Sequence, residues 1–431
     1  MPVNPLLPEE LLHFIWQHRL FRQQALFTTN GDPVRVLCPG IYNHHDGPDF
    51  SHASIHIGTT RWVGNVELHV RSSDWYRHFH HHNPKYANII LHVVFLDDKE
   101  NKPFPAPCLE LQQHVSKLML RHYSALKNNA DFIPCAGLAS RVPPLHWMAW
   151  EERLLADRWE LKMEQWQQWL LQSRFNWDEV CYLVLAEAFG LSQNTAPMLQ
   201  LAQSLPWKLL LRYRHDLVLT EALLFGQAGM LACDNPDAYT QELQRQYTWL
   251  AHKHQLTPLP GSVWKWLRIR PSSFPAMRIA QLATLLHHYP RLFATLLDMT
   301  TLSGLQEIFF VAPSPYWQTH YRLSSSEKPA TATIGKQGVN SIIINAILPL
   351  LFFYGKVCHS WYRRQLALEW LLQLPAEDNK VMKEWKKIGI YPHNALESQG
   401  LLHLKKYYCN EKKCLQCAVG ARLMMKEGIA V

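Results

Sequence analysis

Along the first third of the chain the apolar residues recur with two different periods. Leu11, Leu12, Ile15 and Trp16 share one face of a helix predicted over residues 6–21. Pro8, Glu9 and Glu10 suit its start, because proline surrenders no needed N–H there and acids favour the positive end of the helix dipole. Short strands are predicted over 34–38 and 53–58. A third, over 61–70, puts Trp62, Val66, Leu68 and Val70 on one side and Glu67 and His69 on the other. Gly58-Thr59-Thr60 is the hairpin turn between the last two. Residues 75–81 read as helix. The run NIILHVVFL over 88–96 is nearly all apolar and of strand length, which predicts a central strand. Pro103, Pro105 and Pro107 break the pattern, and a helix over 115–128 closes the domain.

From Trp147 onward the helical period dominates. The clearest helices are 147–173, 178–189, 238–254, 276–289, 339–354 and 360–374. Pro134 and Pro143-Pro144 mark a boundary, and residues 313–336 form an irregular stretch. The pattern therefore predicts an α+β chain: a mixed α/β domain over 1–135, then a mostly α-helical region over 136–431 ending in a cysteine-rich tail.

Composition supports a folded protein. Of 431 residues 48% are apolar and 18% charged, too apolar for a disordered chain. The net charge of +8 permits a polyanionic partner such as DNA or RNA. The N-terminus lacks the charged start and cleavage site of a signal peptide. The apolar stretch 342–354 is shorter than the roughly 20 residues a bilayer needs. The expectation is a cytoplasmic protein without a membrane partner, whose nine cysteines are thiols or metal ligands rather than disulfides.

Two carboxylates stand out. Asp49 lies just before the hairpin and Glu67 on its second strand, a layout that can bring both to one end of a sheet. Convergent carboxylates hold hard divalent cations such as Mg²⁺, which activate water and stabilise phosphoryl charge. The Pro48-Asp49 pair, the hairpin and the triplet Glu67-Leu68-His69 resemble the PD-(D/E)XK nuclease superfamily, as does the order helix, strand, hairpin, helix, strand. The resemblance implies a restriction-endonuclease-like fold and hydrolysis of phosphodiester bonds in DNA or RNA. It implies that Asp49, Glu67 and the Leu68 carbonyl bind Mg²⁺ (or Mn²⁺), with Glu10 as the helix-borne acid. His69 stands where the superfamily has lysine. A histidine there can serve as base or orient water. Otherwise the lysine's role has moved to Arg71 or Lys85, or activity is altered or lost. A non-catalytic nucleic-acid binder or scaffold is the alternative.

Further candidates follow. On a helix, His78 and His82 would be i, i+4 neighbours able to chelate a metal, and His80 lies between them. Together they suit the same site or a separate Zn²⁺ hydrolase centre. His92 is expected in the core. The tail carries Cys409, Cys414 and Cys417 in a C-x4-C-x2-C spacing, which lets several thiolates converge on one ion. A closed Zn²⁺ or Fe–S site needs a fourth ligand, for which Cys135 and then Cys358 are candidates. Some PD-(D/E)XK nucleases are similar in joining three C-terminal cysteines to a distant one at an iron–sulfur cluster. Cys38, Cys108, Cys181 and Cys233 are expected in the core. In the helical region, Trp264, Trp266, Arg268, Arg270 and Arg278 interleave aromatics with arginines, a strip suited to stacking on bases and contacting phosphates. Over nearly its full length, through strings such as GPDF, GNVELHV, RPSSFP and CLQCAVG, the chain resembles an uncharacterised bacterial domain-of-unknown-function family.

Overall fold

The computed structural model describes residues 7–98, 106–325 and 332–428. Pro103 and Pro105, residue 6 of the first helix and part of the 313–336 stretch lie outside these. The chain forms two compact units. The first comprises Met1–Trp150, Lys383–Tyr391 and Leu402–Val431; the second comprises Glu151–Met382 and Pro392–Leu401. The first unit thus runs past residue 135 and takes the cysteine tail back into itself.

The first unit is built on a six-stranded mixed sheet. Its strands are β1 (Val34–Cys38), β2 (Ile41–Tyr42), β3 (Phe50–Ile57), β4 (Thr60–Arg71), β5 (Ile89–Leu96) and β6 (Cys108–Glu110). The order is β1-β3-β4-β5-β6, with β2 paired to β3. β1, β3 and β4 form an antiparallel meander, whereas β5 runs parallel to β4 and β6 to β5. Gly58 makes the β3–β4 turn in the left-handed region at φ +63°. β5 has parallel neighbours on both sides and buries every residue but its last, as its apolar run predicts. The short strands β2 and β6 are additions to the sequence-based plan.

Helix α1 (Glu9–Gln17) packs on β4 through Leu11, Leu12, Phe14, Ile15 and Trp16. The segment between β4 and β5 carries one helical turn, α2 (Asp74–Arg77), and two 3₁₀ turns. Helix α3 (Lys117–Asn128) follows β6, its N-terminus capped by the Ser116 hydroxyl.

β4 is buried on both faces over part of its length. Val66 and Leu68 enter one side of the core, and Glu67 and His69 are equally enclosed on the other. Helices α1 and α2 both pack on β4, and two bulges lie beside the buried stretch. In β3 the register slips between Phe50 and Ala53, where His52 adopts φ +56°. In the β4–β5 pair it slips between Asn65 and Val66. Bulges re-aim side chains and are enriched next to active sites. Gly64 allows the second one, since a Cβ there would lie 2.5 Å from Ile90 Cγ2.

The second unit is helical. The helix Pro275–His288 is buried over almost its whole circumference. The helix Lys336–Val357 is long and apolar enough to cross a bilayer, but most of it lies inside this unit's core. It contains a π turn at Ile343–Ile347. There Asn345 joins a partly buried polar network with Arg158, Lys162, Glu377 and Gln399.

Candidate metal centre

Asp49, one residue before β3, and Glu67, on β4, hold each other through the backbone. The Asp49 N–H donates to Glu67 Oε2 at 3.1 Å, and the Leu68 N–H donates to Asp49 Oδ2 at 2.9 Å. The expected convergence of the two carboxylates is therefore present. α1 adds Glu9 and His13, one turn apart. His13 Nε2 lies 3.2 Å from Asp49 Oδ2, and its Nδ1 lies 3.2 Å from the Tyr42 hydroxyl. Glu9, His13 and Asp49 bring one ligand atom each to within 4.8 Å of one another.

A second group faces the same carboxylates. His69 is 1% exposed. Its Nδ1 is 2.8 Å from His92 Nε2 on β5, and its Nε2 is 3.8 Å from Glu67 Oε1. His80 Nε2 is 3.3 Å from that oxygen. His69, His78 and His80 also lie within 4.8 Å of one another. The predicted helix over 75–81 stops at Arg77 because Phe79 is left-handed, at φ +58°. The reversal brings His78 and His80 to His69. His82 is exposed and its ring lies tilted against His81 instead, so the expected His78–His82 pair does not form. Trp75 packs against His69, His80 and His92 and walls the site from water.

This packing strains the charges. Burial, and then the Asp49 carboxylate, pushes Glu67 up to about 9. Burial and the Asp49 charge also raise Glu9. Burial pushes His69 down to about 2, with His92, His80, His78 and His13 adding to the effect, and pushes His92 down to about 3. His80 is lowered by burial and by His78. His69, His80 and His92 are thus held neutral, the form that ligates metal, while burial works against charge on Glu9 and Glu67. His13, His69 and His80 each bury an Nε2 atom that makes no hydrogen bond. A cation among these atoms would satisfy both imbalances, since ion binding favours carboxylate and neutral imidazole together. His92 behind His69 and Tyr42 behind His13 are the outer partners that orient metal-binding histidines.

A family model described as "Protein of unknown function (DUF2851)" matches residues 9–380. The chain belongs to this family. No curated protein and no solved structure matches it. The DUF2851 match begins at Glu9, so it takes in the whole carboxylate–imidazole centre; Cys409, Cys414 and Cys417 lie beyond its end.

Other sequence candidates in the DUF2851 chain lie elsewhere. Glu10 turns away from Asp49: it accepts from the Tyr123 hydroxyl at 2.7 Å and pairs with Lys127 at 2.9 Å, and Glu9 faces the site in its stead. Arg71 approaches Asp98 and Lys85 pairs with Asp46, so neither takes the lysine position. Arg268 and Arg270 are exposed in the second unit. Arg278 is 7% exposed and bonds to Gln281 and Ser273, so it does not reach a nucleic acid. Trp264 is buried with its indole N–H on the Ala228 carbonyl, and Arg322 covers the Trp266 ring. Neither ring offers a free stacking face.

Sequence reasoning missed Glu9, His13 and Tyr42. The signal for the first two was their i, i+4 spacing on α1. Cys135, Cys414 and Cys417 are buried in the first unit, where Cys409 joins them. Cys358 is exposed in the second unit. Cys108 and Cys181 are core residues as expected, but Cys38, at the end of β1, is exposed.

Proposed function

We propose that this chain is a metal-dependent phosphodiesterase that hydrolyses DNA or RNA, with its centre at Asp49 and Glu67. The observation that carries the reading is the cross-bonded carboxylate pair, flanked by Glu9 and by buried imidazole nitrogens without hydrogen-bond partners. The order α1, β1, the β3–β4 hairpin, α2 and parallel β5 supports a restriction-endonuclease-like fold of the PD-(D/E)XK kind. Glu9, Asp49 and Glu67 would supply oxygen donors to Mg²⁺ or Mn²⁺. The neighbouring imidazoles tilt the preference towards Mn²⁺, which accepts nitrogen more readily. Such a cation supplies a Lewis acid and acidifies bound water.

The protein's own groups do the rest. His69 is neutral, oriented by His92 and resistant to protonation, so it suits a metal ligand rather than a base or the electrostatic partner that a lysine would be. Glu67 and Asp49 fix each other's position, which pre-pays the cost of ordering the donors.

The test is cleavage of single- and double-stranded DNA and RNA with Mg²⁺, Mn²⁺ or EDTA. Cleavage that needs metal and falls roughly 10²–10⁴-fold in Asp49→Ala and in Glu67→Ala is expected. Cleavage surviving either substitution would refute the assignment. One observation favours a second reading, a non-catalytic nucleic-acid binder or scaffold: Arg71 and Lys85 are both committed to other acids. Salt-sensitive binding without cleavage would support it.

A further inference from the structure

Four thiols lie in the first unit, Cys135 far along the chain from the other three. Cys135 follows α3, and Cys409, Cys414 and Cys417 lie just ahead of the C-terminal helix Ala418–Gly428. We propose that Cys135, Cys409, Cys414 and Cys417 form a metal centre that holds a soft cation, as a single Zn²⁺ or as an iron–sulfur cluster, and fastens the C-terminal segment to α3. The site is separate from the carboxylate–imidazole centre and does not rest on it.

Cys135, Cys414 and Cys417 are between 7% and 9% exposed, and none of the four is in a disulfide. Backbone N–H groups of Val419 and Gly420, at the start of the C-terminal helix, point at the Cys417 sulfur. Gly420 is required by the packing: a Cβ there would sit 2.2 Å from the Cys414 carbonyl oxygen. The close approach of turn and helix sets Cys414 beside Cys417. Lys127 and Lys412 lie near Cys414 and Lys405 near Cys409, so thiolate charge is partly offset from several sides. The Lys412 ammonium also donates to the Lys127 carbonyl on α3.

The C-terminal helix packs on α3, and its Leu423 and Met424 line the same cleft as Cys135, which brings the tail to that thiol. An ion has a way in, since this cleft of about 490 Å³ is also lined by His122, Asn129 and Arg141.

The experiment uses the full chain carrying Glu67→Gln, so that the carboxylate centre adds little metal, purified under reducing, anaerobic conditions. Elemental and sulfide analysis should give about one zinc per chain, colourless, or about four irons with matching sulfide and a broad visible absorption. Cys135→Ser and Cys414→Ser should each cut this at least about fivefold, and Cys38→Ser should not. If those variants fail to fold, the unsubstituted cysteine set is titrated with an organomercurial. Metal release in step with modification of the four thiols is then expected. The proposal is overturned by less than about a tenth of an equivalent of either metal after reconstitution with Zn²⁺ or with ferrous iron and sulfide. It is equally overturned by metal content that ignores both serine substitutions, by release out of step with thiol modification, or by disulfides among the four in the native protein.

Discussion

Replacing Glu67 with glutamine should make the metal-free protein more stable, not less. The carboxyl is 4% exposed and its folded value is about 9 against an ordinary 4.5. A raised value means the native state binds a proton that the unfolded chain has already released. Stability from this group is therefore complete below pH 4.5 and drains away as pH rises towards 9. At about 1.4 kcal/mol per pH unit, the ceiling at pH 8 is about 5 kcal/mol. Relaxation and water entry bring that to roughly 2–3 kcal/mol. The amide keeps the acceptor for the Asp49 N–H and offers an N–H to His80. It has no charge to bury. In a unit of this size the gain corresponds to roughly 5–10 °C in Tm. The assay is thermal unfolding of both proteins from pH 5 to 8, in EDTA and in Mn²⁺. Glu67→Gln should lead at pH 8 in EDTA and converge with wild type near pH 5. Mn²⁺ should raise wild type and leave the variant nearly unmoved. His69 and His92, with lowered values, lose stability as pH falls below about 6.5, but both proteins share that term. A variant less stable than wild type at pH 8 in EDTA, or a gap that does not close towards pH 5, would refute the reasoning.

Three further outcomes follow from the same geometry. His92→Ala removes the partner of His69 Nδ1 and should weaken Mn²⁺ binding by about 10–100-fold in calorimetric titration, without unfolding the chain. Glu9→Gln should depress cleavage, whereas Glu10→Gln should cost about 1 kcal/mol of stability, read by denaturant unfolding, and spare cleavage. In the second unit, Arg278→Met should lower stability by about 1–3 kcal/mol through the polar groups it strands, with nucleic-acid affinity unchanged. Any role of that segment in binding should instead show in Arg268→Ala and Arg270→Ala, as a weaker affinity with a shallower salt slope.

The parts of the fold that were legible in the sequence depend on neighbours along the chain. The β3–β4 hairpin follows from one turn between two alternating runs, β5 from its apolar content, and Ala238–His254 from its period. What was not legible depends on distant partners. β6 has three residues and takes its place from β5. Glu9 and Glu10 are interchangeable as text, and the choice is made by Tyr123 and Lys127 on α3. The histidine cluster turns on one left-handed residue, Phe79, of a type seldom found there. Arg278 looked like a phosphate contact because its helix is buried on nearly every side, which no local period announces. The return of the cysteine tail to the first unit was legible only through its cysteine spacing, which called for a distant fourth thiol such as Cys135.

The opposite pull of Glu9 and Glu10 has a consequence for the order of synthesis. α1 has nine residues, below the roughly 12–15 at which an isolated helix holds itself together in water. Its Glu10 partner Tyr123 lies 113 residues downstream. A chain still being made, halted before α3, would carry α1 against β4 without the Tyr123 and Lys127 partners that turn Glu10 away from the site. Loop closure over such a separation is slow and comes late. The choice between Glu9 and Glu10 is therefore fixed only once α3 has emerged and taken Glu10.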